Sequence, residues 1–238
     1  MGVHKGHSYL KAIQRNIAPD RTHPKHHGIK MQAHHLLSQE GIEISELGTK
    51  MVRFGYEIDA LENLTFLPCT LQGACHLGVQ PHRGDHSTGS ARVARRGFPG
   101  RPTGAEEIDE EDYDDDDHPY SYHRMVSGKL KTLIARLEKK CTGRPNTSGD
   151  FVEALHSLSQ SILMTIYGRP SEARLTSIAD HFRIGNKVGC GGVDNVGMHS
   201  AEAPCATGRN HERKQGPRQK AEAITYSASI PYIPRPRK

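Results

Sequence analysis

Gln32-Ala33-His34-His35-Leu36-Leu37 is the stretch on which the fold of this chain depends. In an extended strand successive side chains point to opposite faces, so the imidazoles of His34 and His35 leave the backbone in different directions. One can hold a metal ion while its neighbour handles a proton. Downstream, Asn63 stands in Leu61-Glu62-Asn63-Leu64-Thr65-Phe66-Leu67-Pro68, and His82 and His86 stand in Pro81-His82-Arg83-Gly84-Asp85-His86. Four residues separate His82 from His86, one helical turn, which lets both rings face one ion. In a chain with 16 histidines, a lone His pair or a lone His-x-x-x-His carries little weight. Their order, with Asn63 between them, is the informative feature.

One of the pair together with His82 and His86 gives three nitrogen ligands and keeps positions open for phosphate and water. That is the layout of a catalytic metal site rather than a closed structural one. Phosphodiester cleavage needs a water that loses a proton, neutralised charge on the phosphorane and a stabilised leaving oxygen. One divalent ion serves the last two needs. A histidine, with an unperturbed pKa of about 6.5, serves the first, provided it is not also a ligand. Asn63 fits two roles, holding the hairpin or orienting the basic His through its amide. Arg83, between the two ligands, is the candidate for stabilising the pentavalent phosphate.

Composition sets wider bounds. The 238 residues suffice for one large domain or two small ones. A hydrophobic fraction of 34%, a mean hydropathy of −0.67 and the absence of Trp point to a modest core with much loop or tail. A formal charge of +5 and a pI near 8.9 suit a polyanionic partner without requiring one. The five cysteines, at 69, 75, 141, 190 and 205, form no close pair, which fits folding in a reducing compartment. The first residues carry no apolar signal core, and no run of about 18 apolar residues is present. The expectation is a protein made in the cytoplasm without a signal peptide, with no membrane partner, that leaves its cell only through dedicated machinery.

Along the chain, periodicity predicts a helix over 8–17 with Tyr9, Leu10, Ile13 and Ile17 on one side. Residues 18–30 read as a Pro- and His-rich loop, 31–37 as a strand, and 45–54 as a helix with Leu47, Met51 and Val52 inward. Residues 63–68 read as a second strand stopped by Pro68. Helices follow over 121–140, 150–167 and 171–184, the last between Pro170 and Gly185. Their apolar stripes are core rather than a cofactor box. This divides the chain into 1–86 with the histidine centre, a basic-then-acidic insertion over 87–119, a helical part over 120–185, and a Gly- and Arg-rich extension over 186–238. The acidic block from Glu106 to Asp117 reads as a solvated loop; sharper readings are a self-inhibitory DNA mimic over a basic groove or a cation-binding segment.

From Gln32 to about Ala91 the chain resembles the AHH nuclease family of the HNH/endonuclease VII (His-Me finger) superfamily. Ala33-His34-His35, Asn63 with Leu67-Pro68, and Pro81-His82-x-x-x-His86 carry the resemblance. It implies a ββα-metal centre, hence an α+β, mostly helical domain around a small HNH-like nuclease core. It implies His34 as metal ligand, His35 as general base, Asn63 as its orienting residue, and His82 and His86 as the remaining ligands. It also implies a bacterial toxin, often a type VI secretion effector, with a secretion-system carrier and a cognate immunity protein. One departure matters. In the family an amphipathic helix with a Tyr follows the last His directly, whereas here the matching helix begins near His118-Pro119-Tyr120-Ser121-Tyr122-His123. Either His82 and His86 lie on a short turn followed by an insertion, or the insertion comes first and His118 or His123 is a ligand. The one-turn spacing favours the former.

The expected cofactor is one divalent metal ion, with Zn or Ni suiting imidazole ligands and Mg or Mn suiting the resemblance. The expected substrate is DNA, cut with little sequence preference, with RNA as the alternative. Arg92, Arg95, Arg96, Arg209 and Arg213, with Lys214, Arg218 and Lys220, are the candidate phosphate contacts. Cys190, His199, Cys205 and His211 offer a weaker zinc site by ligand type alone. His23, His26 and His27 read as loop residues beside the groove. No HExxH, P-loop or GxSxG is present. The competing class is a non-catalytic binding module in which the histidines hold structural zinc.

Overall fold

The computed structural model describes residues 9–82, 120–140, 148–176, 179–182, 223–227 and 232–234. Within these the chain is a mixed α+β protein with a small antiparallel sheet and several helices. Helix α1 (Tyr9–Ile17) buries Ile13 and Ile17, four residues apart on one face. A 3₁₀ turn, Pro24–His27, starts on the side chain of His23, which accepts from the Lys25 N–H. It ends on Gly28, whose φ of 85° needs glycine. A Cβ at Gly28 would lie 2.0 Å from the carbonyl oxygen of Ala223, so the C-terminal segment passes hard against this turn.

Strands β1 (Met31–His35) and β2 (Leu64–Pro68) pair antiparallel, with Met31 opposite Pro68, Ala33 opposite Phe66, His34 opposite Thr65 and His35 opposite Leu64. Every β2 side chain is buried, because both faces of this short ribbon are covered. Between the strands lie α2 (Gln39–Ser45), capped by the Ser38 hydroxyl, and α3 (Gly48–Arg53). After β2 come α4 (Leu71–Leu77), capped by Thr70 and closed by Gly78, then the 21-residue helices α5 (Tyr120–Lys140) and α6 (Ser148–Gly168). The core joins α1, the hairpin and both long helices through Ile13, Leu36, Leu67, Val126, Leu155 and Ile166.

Two sequence expectations fail. The helix expected over 45–54 is broken. Glu46 takes a left-handed φ of 62°, and the Ser45 hydroxyl donates to Ile42 O and accepts from Leu47 N, which closes α2. The chain restarts at Gly48 in a new phase, so Met51 is buried while Val52 is 43% exposed. The helix expected over 171–184 is replaced by 3₁₀ turns at Pro170–Glu172 and Ala179–Phe182. Between them Gln80 takes the backbone: its side chain donates to Ala173 O at 3.0 Å and accepts from Leu175 N at 2.8 Å. A tertiary partner has replaced the helical hydrogen bonds. Helix α4 has no counterpart in the sequence reading.

The helices expected over 121–140 and 150–167 form as α5 and α6, with Val126, Leu130, Phe151, Leu155 and Ile162 buried. Helix α2 packs tightly on α5: a Cβ at Gly41 would meet Val126 Cγ1 at 2.7 Å. The C-terminal stretch also joins the core. Ile224, Tyr226 and Tyr232 are buried, Thr225 N donates to His27 O at 2.9 Å, and Tyr232 Oη donates to Phe66 O at 2.9 Å. Among the described residues no helix is long and apolar enough to cross a membrane.

Candidate metal and proton-transfer centre

Strand alternation separates the two imidazoles as the sequence predicts. His34 Nε2 lies 2.9 Å from the hydroxyl of Tyr122, in the first turn of α5. That hydroxyl has one proton, and it donates to Leu36 O at 2.8 Å. The His34 contact must therefore use the imidazole's own proton, which fixes the Nε2–H tautomer and puts the lone pair on Nδ1. Burial pushes the Tyr122 phenol well above its ordinary pKa, so this anchor is neutral.

His82 packs against His34. The ring centroids are 4.6 Å apart at 67°, and the two residues are 3% and 1% exposed. With metal–nitrogen bonds of about 2.1 Å, two imidazoles on neighbouring positions of one ion place their centroids about 4.6 Å apart at an octahedral angle and about 5.3 Å apart at a tetrahedral one. The pair fits one divalent ion on that test. His82 is held at the end of β2 by its N–H, which donates to Pro68 O at 2.7 Å. Two residues earlier, the fully engaged side chain of Gln80 ties the same segment to Ile166 O, at the end of α6, and to the turn beyond it. Among the described residues no three His, Cys, Asp or Glu side chains converge as a ligand group.

His35 faces the other way. Its Nε2 is 2.9 Å from Asp59 Oδ1, and its ring stands edge-on to Tyr9 at 4.8 Å. A carboxylate only accepts, so Nε2 carries the proton and neutral His35 keeps its lone pair on Nδ1. Asp59 lies in the loop before the Leu61–Asn63 3₁₀ turn, 24 residues from its partner, and no motif marked it. Tyr9 is pushed above its ordinary pKa by burial and then by the Asp59 charge.

Asn63, wholly buried, braces backbone. Its Oδ1 accepts from Leu37 N at 2.7 Å and from Ser159 Oγ at 3.0 Å, and its Nδ2 donates to Leu37 O and Ile58 O. Of the two roles the sequence left open, these contacts are those of holding the hairpin; the His35 Nε2 contact is made by Asp59. His123 is likewise engaged away from His34: Nδ1 is 2.9 Å from Ser38 Oγ and Nε2 is 3.5 Å from Glu40. His23, His26 and His27 are tied to nearby backbone. Cys69 is half-buried and Cys75 is buried. Arg83, His86, His118, Arg92, Arg95, Arg96, Arg209 and Arg213 lie outside the described residues, as do the acidic block, Cys190, His199, Cys205 and His211.

Residues 13–96, 84 of the 238, match the AHH family, described as a nuclease family of the HNH/ENDO VII superfamily with conserved AHH. Ala33-His34-His35 is the only Ala-His-His in the matched stretch. No curated protein and no solved structure matches the chain.

Proposed function

We propose, from the match of residues 13–96 to the AHH nuclease family, that the chain is a metal-dependent endonuclease that cuts DNA with little sequence preference. The observation that carries the division of labour is the contrast in anchors. His34 is held by a neutral, buried phenol, and His35 by a carboxylate. A metal ligand must stay a neutral imidazole, and a general base must take up a proton.

His34 and His82 hold the ion, with His86 as the third ligand from the sequence pattern. A divalent ion bound there supplies neutralisation of charge at the phosphate and the leaving oxygen. His35 accepts the proton of the attacking water on Nδ1, while Asp59 fixes its tautomer and stabilises the imidazolium that forms. Tyr122 holds the His34 ring through Nε2, which leaves Nδ1 as the nitrogen that would take a metal. Arg83 is assigned to the phosphate from its place in the motif.

The biological role we assign is an antibacterial toxin, carried by type VI or similar secretion and neutralised by a cognate immunity protein. The resemblance supports the role. The net basic charge supports an acidic partner surface.

The test is plasmid degradation by wild type and His35→Ala, with Mg, Mn, Ni or Zn and with EDTA, alongside the metal content of each protein. Wild type should cut, EDTA should stop it, and His35→Ala should keep its metal without cutting. Stoichiometric metal in both proteins with no cutting by either under any ion would replace the nuclease with a structural zinc module.

A further inference from the structure

The two imidazoles in contact, His34 and His82, are delivered by different kinds of backbone. His34 stands in β1, where pairing with β2 fixes its place. His82 belongs to no helix or strand, and its N–H donates to Pro68 O at 2.7 Å. A ligand on such a segment is held only as firmly as the surrounding side chains lock it. The side chain that does so here lies two residues upstream.

Gln80 is 1% exposed, and both ends of its amide are engaged. Nε2 donates to Ile166 O and to Ala173 O, each at 3.0 Å, and Oε1 accepts from Leu175 N at 2.8 Å. Both amide protons are therefore committed. Ile166 O is among the last four carbonyls of α6, which have no partner within their own helix. Ala173 and Leu175 lie between two 3₁₀ turns, where no helical ladder runs. Gln80 thus sits in a socket built by residues 166–175, beyond the stretch that matches the family.

The link from that socket to His82 is stiff. Proline at 81 locks its own φ near about −65° and confines the residue before it to extended conformations. Few torsions in Gln80-Pro81-His82 remain free, so a displaced Gln80 displaces His82. Upstream, Val79 is buried in the core and its N–H donates to Ala74 O at 3.2 Å, which fixes the other end of the segment.

We infer that Gln80 is a positioning residue for the metal centre: seated in the 166–175 socket, it sets His82 against His34 through Pro81 before an ion arrives. This deepens the nuclease reading and rests on it for the ion that His34 and His82 hold. A ligand already in place loses no freedom when the ion binds, so an unseated His82 binds more weakly. The coupling is reciprocal. An ion bridging His34 and His82 tightens the Gln80 seat, and with it the backbone of residues 166–175.

Zn²⁺ alone is the probe, titrated into the full chain against a chromophoric chelator; the affinity read is the part abolished by His34→Ala. Gln80→Met nearly keeps the volume and removes all three hydrogen bonds. It should weaken Zn²⁺ about 10- to 100-fold. Phe151→Ala is the control for lost stability, since Phe151 stacks on Phe54 near the other end of α6, about 22 Å along the axis from Ile166. It should melt earlier and hold Zn²⁺ as wild type does. Equal weakening in both variants would reduce Gln80 to a core residue and overturn the inference, as would wild-type affinity in Gln80→Met. Hydrogen exchange on the wild-type chain decides the matter if Gln80→Met does not fold. Zn²⁺ should slow exchange of the Leu175 N–H about tenfold or more and leave the Gly55 N–H, just past α3, unchanged. Leu175 exchange indifferent to Zn²⁺, or no Zn²⁺ bound through His34, would also overturn it. The two readings fail separately. Zn²⁺ affinity lost in Gln80→Met with no cutting by wild type under any ion retains the positioning role and removes the nuclease, whereas cutting by wild type with affinity and Leu175 exchange unmoved does the reverse.

Discussion

His34 and His35 are neighbours in sequence, yet they are anchored by different parts of the chain. The His34 partner, Tyr122, is 88 residues away on α5, beyond the stretch that matches the nuclease family. The His35 partner, Asp59, is 24 residues away and within it. Both contacts fix the same tautomer, with the lone pair on Nδ1, but one anchor is neutral and the other charged. The two imidazoles of one short sequence motif are thus anchored in part by a helix that lies beyond the matched stretch. Asn63 shows the same split, bracing Leu37 and Ile58 locally while accepting from Ser159 of α6.

The contrast can be broken most sharply at His35. His35→Ala should lower cutting about 10²- to 10⁴-fold with metal content unchanged, as expected for a lost general base. A variant that loses metal in parallel would erase the distinction between the two faces. Asn63→Ala comes next. It strands several buried backbone groups and should cost about 3 kcal/mol of stability by chemical denaturation, with soluble protein of lower melting temperature. A variant as stable as wild type would show that the hairpin does not depend on this brace.

Tyr122→Phe removes one hydroxyl and keeps the ring. Metal affinity should fall about 10- to 100-fold, measured by competition with a chromophoric chelator, and excess metal should restore cutting. An unchanged affinity would separate His34 from metal binding. Asp59→Asn should lower kcat about tenfold, a fraction of the base contribution, with metal affinity and KM near wild type. A loss confined to metal affinity would reverse the assignment of the two histidines.

The smallest effect is alkaline. Burial raises the phenols of Tyr9, Tyr56, Tyr122 and Tyr226 above their ordinary value. Their unfolded counterparts titrate near the model-peptide value of about 10. The stability these groups contribute is complete below that pH and is lost as pH rises towards the folded values, because the unfolded chain releases its protons first. Melting temperature should decline above about pH 10, and less steeply in Tyr122→Phe.

The amino-acid sequence alone determined the hairpin and its histidines. Residues 31–35 and 64–68 pair as their short apolar runs suggest, and strand alternation sends His34 and His35 apart whatever surrounds them. The stripes of α1, α5 and α6 were legible for the same reason, since a 3.6-residue period is local information, although Leu10, read onto the inward side of α1, is 43% exposed. Tertiary structure alone decided the rest. No spacing rule links His35 to Asp59, His34 to Tyr122 or Gln80 to Leu175, because each pair is joined by packing across the core rather than by one element's geometry. The failure of the 171–184 helix has that cause too. A buried amide from residue 80 offered the backbone hydrogen bonds that a helix would have offered, and in a packed interior such a satisfied contact outweighs a weak local propensity.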